Sequence, residues 1–317
     1  MSMQRGTCAA AWAGILAMAP AAYAGEGGIS HLAPGTMATL ADNLPTTPGS
    51  FVKPLYMHYS GDISAPIPTA IGLVGNVDVT SNTVAVAAGH TFATTVLGGA
   101  HYTAVVAVPY TWVDISGDAA TVAGQPVRRV SNSVSGLGDV TIIPAMLAWK
   151  SGEWQFNALL PIYAPTGSYK EGRLGNTGLN YWTFDPTLGV GYGNAKGLNA
   201  LVYGGLAMNT ENDATQYKSG NLLHFDGSLQ QLLPVGAGFV ALGVEGFYFK
   251  QVTCDSGAGA TLGCFKGKTA GLGPVLGYIH PFSKTESLVV ELKWLAEMDT
   301  QKRLEGDYIW LKAVYKF

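Results

Sequence analysis

Residues 287–298 read SLVVELKWLAEM. Leu288, Val290, Leu292, Trp294, Ala296 and Met298 share one parity and carry no polar side chain, whereas Val289, Glu291, Lys293, Leu295 and Glu297 share the other and carry three charges. A period of two marks an extended strand whose faces meet different surroundings. One face suits hydrocarbon and the other water.

The pattern spreads outward from there. The last ten residues, YIWLKAVYKF at 308–317, set Ile309, Leu311, Ala313, Tyr315 and Phe317 against Tyr308, Trp310, Lys312, Val314 and Lys316. Residues 222–233 set Leu223, Phe225, Leu229 and Leu233 against His224, Asp226, Ser228 and Gln230, and residues 181–192 set Trp182, Phe184, Leu188, Val190 and Tyr192 against Tyr181, Thr183, Asp185 and Thr187. Along Tyr102, Ala104, Val106, Val108, Tyr110 and Trp112, aromatics stand at the ends and small aliphatics between, as interfacial girdles require. The stretch from Tyr102 to Tyr110 covers roughly 26 Å at about 3.3 Å per residue, which suits the lipid-facing band once tilted.

A soluble sandwich also alternates, so composition has to choose. The chain has 317 residues, 48% hydrophobic and 12% charged, about half the charge of an ordinary soluble domain. Beyond the N-terminus no run of 18 apolar residues could span a bilayer as a helix. A closed barrel is the other structure that satisfies every backbone group in lipid. The expected fold is therefore all-β: a transmembrane antiparallel up-and-down β-barrel. A net charge of −3 without a basic patch argues against a nucleic-acid partner.

Arg5, the apolar run from Cys8 to Pro20 and Ala22-Tyr23-Ala24 read as a signal peptide over residues 1–24. Cys8 leaves with it, and Cys254 and Cys264 remain in a compartment where disulfides persist. Bridging them closes a short loop containing DSGAGATLG, worth about 3 kcal/mol on the chain-entropy model. Two thiols without a neighbouring histidine fall short of a metal site.

Tight links at Gly98-Gly99, 150–152, 193–197, 233–236 and 281–284 take turns with long polar loops near 62–82, 116–132, 166–178, 211–219, 253–266 and 299–305. Short turns on the periplasmic side and long loops outside are the asymmetry of outer-membrane barrels. The count is about twelve strands over residues 50–317, with both termini periplasmic; alternation is weakest at 62–97, the place where a strand would be miscounted. A last strand that pairs with the first leaves no open edge, so the chain can stop at the membrane rim. Phe317, Tyr315 and Ala313 resemble the C-terminal signature by which the barrel assembly machinery reads such proteins. Residues 25–49, rich in Gly, Pro and Thr, are either a periplasmic lead or a partial plug in the lumen, with His31 as a contact and Leu32, Met37 and Leu40 to bury.

Three segments carry a narrower resemblance: EGGISHLAPGT at 26–36, GLGDV at 136–140, and LPIYAPTGSYKEGRLGNTGLNYWTFDP at 160–186. They look like the outer-membrane family named after the meta-pathway of phenol degradation. The resemblance implies a barrel in the outer membrane of a Gram-negative cell, encoded alongside aromatic catabolism and admitting hydrophobic aromatic compounds such as phenols. It supplies no ligand residues.

Inward parity nominates Asp139, Tyr163, Asp185, His224, Asp226, Glu245, Phe247, Glu291, Lys293 and Glu297 as lumen or substrate-contact residues, beside Gln155, Asn157 and Phe249. Mixed signs argue against a strongly ion-selective pore. The charges could pair across the lumen, Glu291 with Lys293 among them, or could orient a small amphipathic solute. No nucleophile elbow, H-E-x-x-H, phosphate loop or C-x-x-C occurs, so neither catalysis nor a cofactor is expected. A lipid hydrolase remains an alternative, for which His224 faces the wrong way and His90, on the lipid side, has no serine assigned by the sequence. A closed structural or adhesive barrel is the other.

Overall fold

Ser50 and Phe317 exchange both backbone hydrogen bonds: the Ser50 N–H donates to the Phe317 carbonyl at 2.8 Å and the Phe317 N–H to the Ser50 carbonyl at 2.9 Å. The two ends of the sheet therefore meet. In the computed structural model, residues 29–64, 67–69, 72–119, 128–261, 264, 266–283 and 285–317 are described; the expected signal peptide lies outside them.

Twelve antiparallel strands form the wall. They are β1 (Gly49–Ile63), β2 (Gly72–Val96), β3 (Ala100–Ala119), β4 (Arg128–Leu137 resuming as Val140–Ser151), β5 (Trp154–Leu159 and Ile162–Ala164) and β6 (Thr183–Phe184 and Thr187–Gly193). The wall continues with β7 (Leu198–Asn209), β8 (Leu222–Val235), β9 (Gly238–Gln251), β10 (Lys268–Pro281), β11 (Ser287–Glu297) and β12 (Glu305–Lys316). Each strand pairs with its neighbours in sequence, and β12 pairs with β1 from Phe51–Lys316 to Asp62–Glu305. Closure leaves no row of unpaired amides facing lipid.

The expected period holds through the band. Val84, Val86, Val106, Val108, Leu188, Leu229, Leu292 and Leu311 are exposed on the outer face, a surface too apolar for water. Aromatic pairs mark its two rims. At the short-turn end Phe92 stacks on Tyr102 (5.0 Å) and Tyr315 on Phe317 (5.6 Å), while Tyr110 leans on Trp112 (4.7 Å) at the other.

Two loop assignments need correction. Besides residues 128–132 in β4, residues 72–82 belong to β2 and residues 116–119 to β3, all expected as loop. Their outward positions are Asp78, Thr80, Asn82, Ser116 and Asp118, joined by Asp114. These strands run on past the hydrocarbon, where the outer face turns polar while the inner face keeps the buried Val74 and Val77, so the contrast expected of a lipid-facing strand is inverted.

Three neighbouring strands are broken inside the barrel, at Gly138-Asp139 in β4, Leu160-Pro161 in β5 and Asp185-Pro186 in β6. Proline has no N–H to give to a ladder. The gap at β5–β6 is closed instead by the Asp185 N–H donating to the Pro161 carbonyl at 2.9 Å. Two of the inward carboxylates, Asp139 and Asp185, stand at these breaks.

Candidate functional site

Inside the barrel the wall has two unlike halves. From β7 to β12 the buried inner positions include His224, Asp226, Ser228, Gln230, Glu245, Glu291, Lys293, Trp310 and Lys312. From β1 to β4 the inner positions include the buried Ala85 and Ala87 and the half-buried Met57, Val79, Val105, Ala107 and Ile115. Residues 30–44 lie in the lumen against the polar half.

Buried backbone must find partners, and the polar wall supplies them. Asp226 accepts from the Gly35 N–H at 3.1 Å, Gln230 from the Leu40 N–H at 2.9 Å, and Glu291 from the Thr39 hydroxyl at 2.6 Å. Ser228 donates to the Ala38 carbonyl, Trp310 to the Pro34 carbonyl at 3.1 Å, and Lys312 to the Gly35 and Thr36 carbonyls at 2.9 and 3.0 Å. The segment bends at Gly35, where φ is +82° and a Cβ would come within 2.4 Å of Leu295 Cδ1. Only glycine fits that turn.

Asp42 is the electrostatic centre of the contact. Its carboxylate lies 2.8 Å from Lys312 Nζ and 4.0 Å from Lys293 Nζ, and it also accepts from Lys53. Burial pushes this carboxyl up, but the ammonium groups of Lys312, Lys53 and Lys293 outweigh burial and hold it well below the usual carboxylate range. Lys293 is bonded to Glu245 at 2.6 Å across β9 to β11. Its partner is thus Glu245, and Glu291 instead accepts from Thr39 of the lumenal segment, so the Glu291–Lys293 bridge offered by the sequence gives way to these two contacts.

On the other side the apolar half stays uncovered. A cavity of about 620 Å³ lies between the segment and β1–β4, lined by alanine, valine and threonine and floored by Lys53 and Lys316. Its charged groups already have partners: Lys53 has Asp42, Lys316 has Thr47, and Arg303 has Glu297 at 3.7 Å. On the open wall Thr83 pairs with Thr111, their hydroxyls 2.9 Å apart.

All ten nominated lumen residues are buried. Two of them, Asp139 and Tyr163, line the cavity. Asp185, His224 and Asp226 form a chain, with His224 Nε2 2.9 Å from Asp185 and Nδ1 3.7 Å from Asp226. Phe247 packs edge-on against Phe249 and Tyr308. Glu297 accepts from the Gly306 N–H at 2.8 Å. Sequence parity misses Asp42, because it lies outside any strand, and misses the alanine wall, because small apolar residues on an inner face read as lost alternation. Cys254 and Cys264 are joined by a disulfide in the β9–β10 loop. Ala313, Tyr315 and Phe317 all sit on the outward parity of β12, beside the seam with β1.

The segments that carry the family resemblance meet at Asp139. Oδ1 accepts from the Gly167 N–H at 2.8 Å, and Oδ2 accepts from the Leu179 N–H at 2.7 Å and faces His31 Nε2 at 2.9 Å. Gly167 and Gly178 approach so closely here that a Cβ on Gly178 would come within 2.7 Å of the Gly167 backbone. The His31 ring lies flat on Tyr163 (5.1 Å, 15°) and edge-on to Tyr181 (5.1 Å, 73°), and Nδ1 is 2.7 Å from the Thr183 hydroxyl.

This architecture is found in known proteins. The crystal structure of the COG4313 outer membrane channel from Pseudomonas putida F1 superposes with a TM-score of 0.62 at 16% identity, over 90% of this chain and all of that one. The beta domain of the Bordetella autotransporter BrkA gives a TM-score of 0.47 at 13% identity, over 86% of this chain and 100% of that one. No protein of curated function matches the chain. The closed barrel and its apolar belt are those of a protein of the cell outer membrane. A sequence profile matches residues 63–313, most of the chain, and by that match the protein belongs to the family described as "Putative MetA-pathway of phenol degradation".

Proposed function

We propose that the protein is an outer-membrane channel for small uncharged apolar or aromatic solutes, phenols among them, and that residues 30–44 act as its plug. The observation that carries this reading is the cavity beside the plug, whose open wall offers mainly methyl groups with a few hydroxyls, Ser81, Thr83, Thr111 and Thr141 among them. A pocket that is mostly apolar with a few fixed polar groups suits a neutral ring, and an ion would gain nothing there to replace its hydration. The family's link to phenol degradation and the channel named among its structural neighbours support the same reading. The test is flux into vesicles whose outer leaflet is lipopolysaccharide: phenol and toluene should enter faster with the protein than without it. Equal rates would leave a closed structural barrel.

One observation keeps a second reading in view. Ser50 Oγ and His90 Nδ1 lie 2.9 Å apart on the outer face, directly across β1 and β2, so the serine that the hydrolase alternative lacked is Ser50. Release of fatty acid from labelled phospholipid, lost in His90→Ala, would establish it. No release would dismiss it.

A further inference from the structure

The His31 contacts describe a receptor for a planar ring, filled by the chain's own imidazole. Tyr163 provides a face, Tyr181 an edge, and Asp139 and Thr183 provide hydrogen-bond partners at the two ring nitrogens. Stacked and edge-to-face contacts at these separations are the favoured arrangements of aromatic pairs.

The slot does not depend on the imidazole for its shape. The Asp139 carboxylate is fixed by the Gly167 and Leu179 amides. The Thr183 hydroxyl donates to Asn209 Oδ1 at 2.7 Å, and the Asn209 amide is oriented by its own donation to the Ser219 and Gly220 carbonyls at 3.3 and 3.2 Å. With its proton committed, Thr183 presents a lone pair to the slot. Both hydrogen-bonding positions are then acceptors. The slot also opens on the cavity, since His31, Asp139, Tyr163 and Leu179 line both.

We propose that Tyr163, Tyr181, Asp139 and Thr183 form a binding site for a hydroxylated aromatic ring, and that His31 is its built-in competitor, so that an incoming phenol or catechol displaces His31 and frees the outer end of the plug. The inference rests on the channel reading and adds the site, the ligand chemistry and the trigger. A ring hydroxyl donates to Asp139 where Nε2 now lies, and a second hydroxyl can donate to Thr183. An arene without a donor leaves the carboxylate with only its backbone partners, and an aromatic carboxylate meets Asp139 charge to charge. The order of preference is catechol and phenol over toluene, with benzoate excluded.

Equilibrium binding to the detergent-solubilised full chain tests this, with catechol, phenol, toluene and benzoate as probes. Removing the competitor in His31→Ala should tighten catechol binding about tenfold, equivalent to about 1.4 kcal/mol, and leave benzoate unbound. Adding Asp139→Asn to His31→Ala should reverse most of the gain. Heat-dependent gel mobility shows whether each barrel is folded, and Tyr163→Leu in the His31→Ala background, which keeps the Asp139 anchors, gives a second route to the same loss. Catechol binding no tighter in His31→Ala than in the parent, or benzoate bound as well as catechol, overturns the proposal. Tightened binding without any solute flux in vesicles would uphold the slot and remove the channel reading.

Discussion

The two halves of the inner wall solve opposite problems. From β7 to β12 the wall carries buried charge and amide groups, and each is matched by the plug or by a neighbour: Lys293 by Glu245, Lys312 by Asp42 and two carbonyls, Glu291 by Thr39. From β1 to β4 the wall is mostly methyl-lined, touching the plug through Lys53 and Asp139, and between those contacts it leaves a cavity. The difference separates the side that holds the segment in place from the side that leaves room. Buried polar groups hold a segment in one place because leaving any of them unpaired is costly; an apolar wall holds nothing in particular and can receive a guest.

The comparison can be broken most forcefully at Lys312. Lys312→Met removes the ammonium that binds Asp42, Gly35 and Thr36, and breaking a buried ion pair costs about 3–5 kcal/mol. The plug should become accessible to protease and single-channel conductance should rise; an unchanged conductance would mean that the polar half does not seat the plug. Glu245→Gln is milder, since the amide oxygen can still accept from Lys293. A loss of about 1–3 kcal/mol is expected, read as a lower temperature for the heat-dependent gel shift.

The apolar half should answer differently. Ala107 faces Ala87 across β2 and β3 with the cavity before it. Ala107→Phe fills open space, so stability should move by no more than about 1 kcal/mol, while aromatic flux falls severalfold. A large loss of stability with unchanged flux would show that the cavity is not on the solute's path.

Acid provides a gentler probe of the same contrast. A carboxylate held below its ordinary value contributes stability that is complete above the unfolded value of about 4 and is lost as pH falls through the folded one. Asp42 is such a group. The plug's grip at Asp42 should therefore be constant from neutral pH down to about 4 and weaken only in stronger acid, whereas Asp42→Asn should conduct more at every pH. Opening of the parent near pH 6 would assign the latch to another group.

The smallest effect is expected at Cys254 and Cys264, joined in a loop remote from both walls. Replacing both with serine should speed proteolysis of that loop and leave the gel shift and the conductance unchanged.

How much of this was legible beforehand depended on contrast between faces. Residues 287–298 declare their strand because one face meets lipid and the other meets the plug's polar contacts. Residues 84–88, VAVAA, hide theirs because both faces are apolar, one toward acyl chains and one toward the cavity. Residues 72–82 hide theirs for the converse reason, standing above the hydrocarbon with polar groups outward. The weakest part of the periodic signal thus lay on the wall that lines the cavity.

Sequence alone determined the barrel, its twelve strands, its closure at Phe317 and the inward direction of Asp139, Tyr163 and the charged residues, because a membrane imposes a period of two on any strand that crosses it. Which inward groups touch one another was decided by tertiary structure. Asp139 meets His31 across 108 positions and Thr39 meets Glu291 across 252. Parity fixes the side of the wall a residue faces. Only the path of the plug through the lumen fixes what stands opposite it, and that path follows from the need of every buried amide and charge to find a partner.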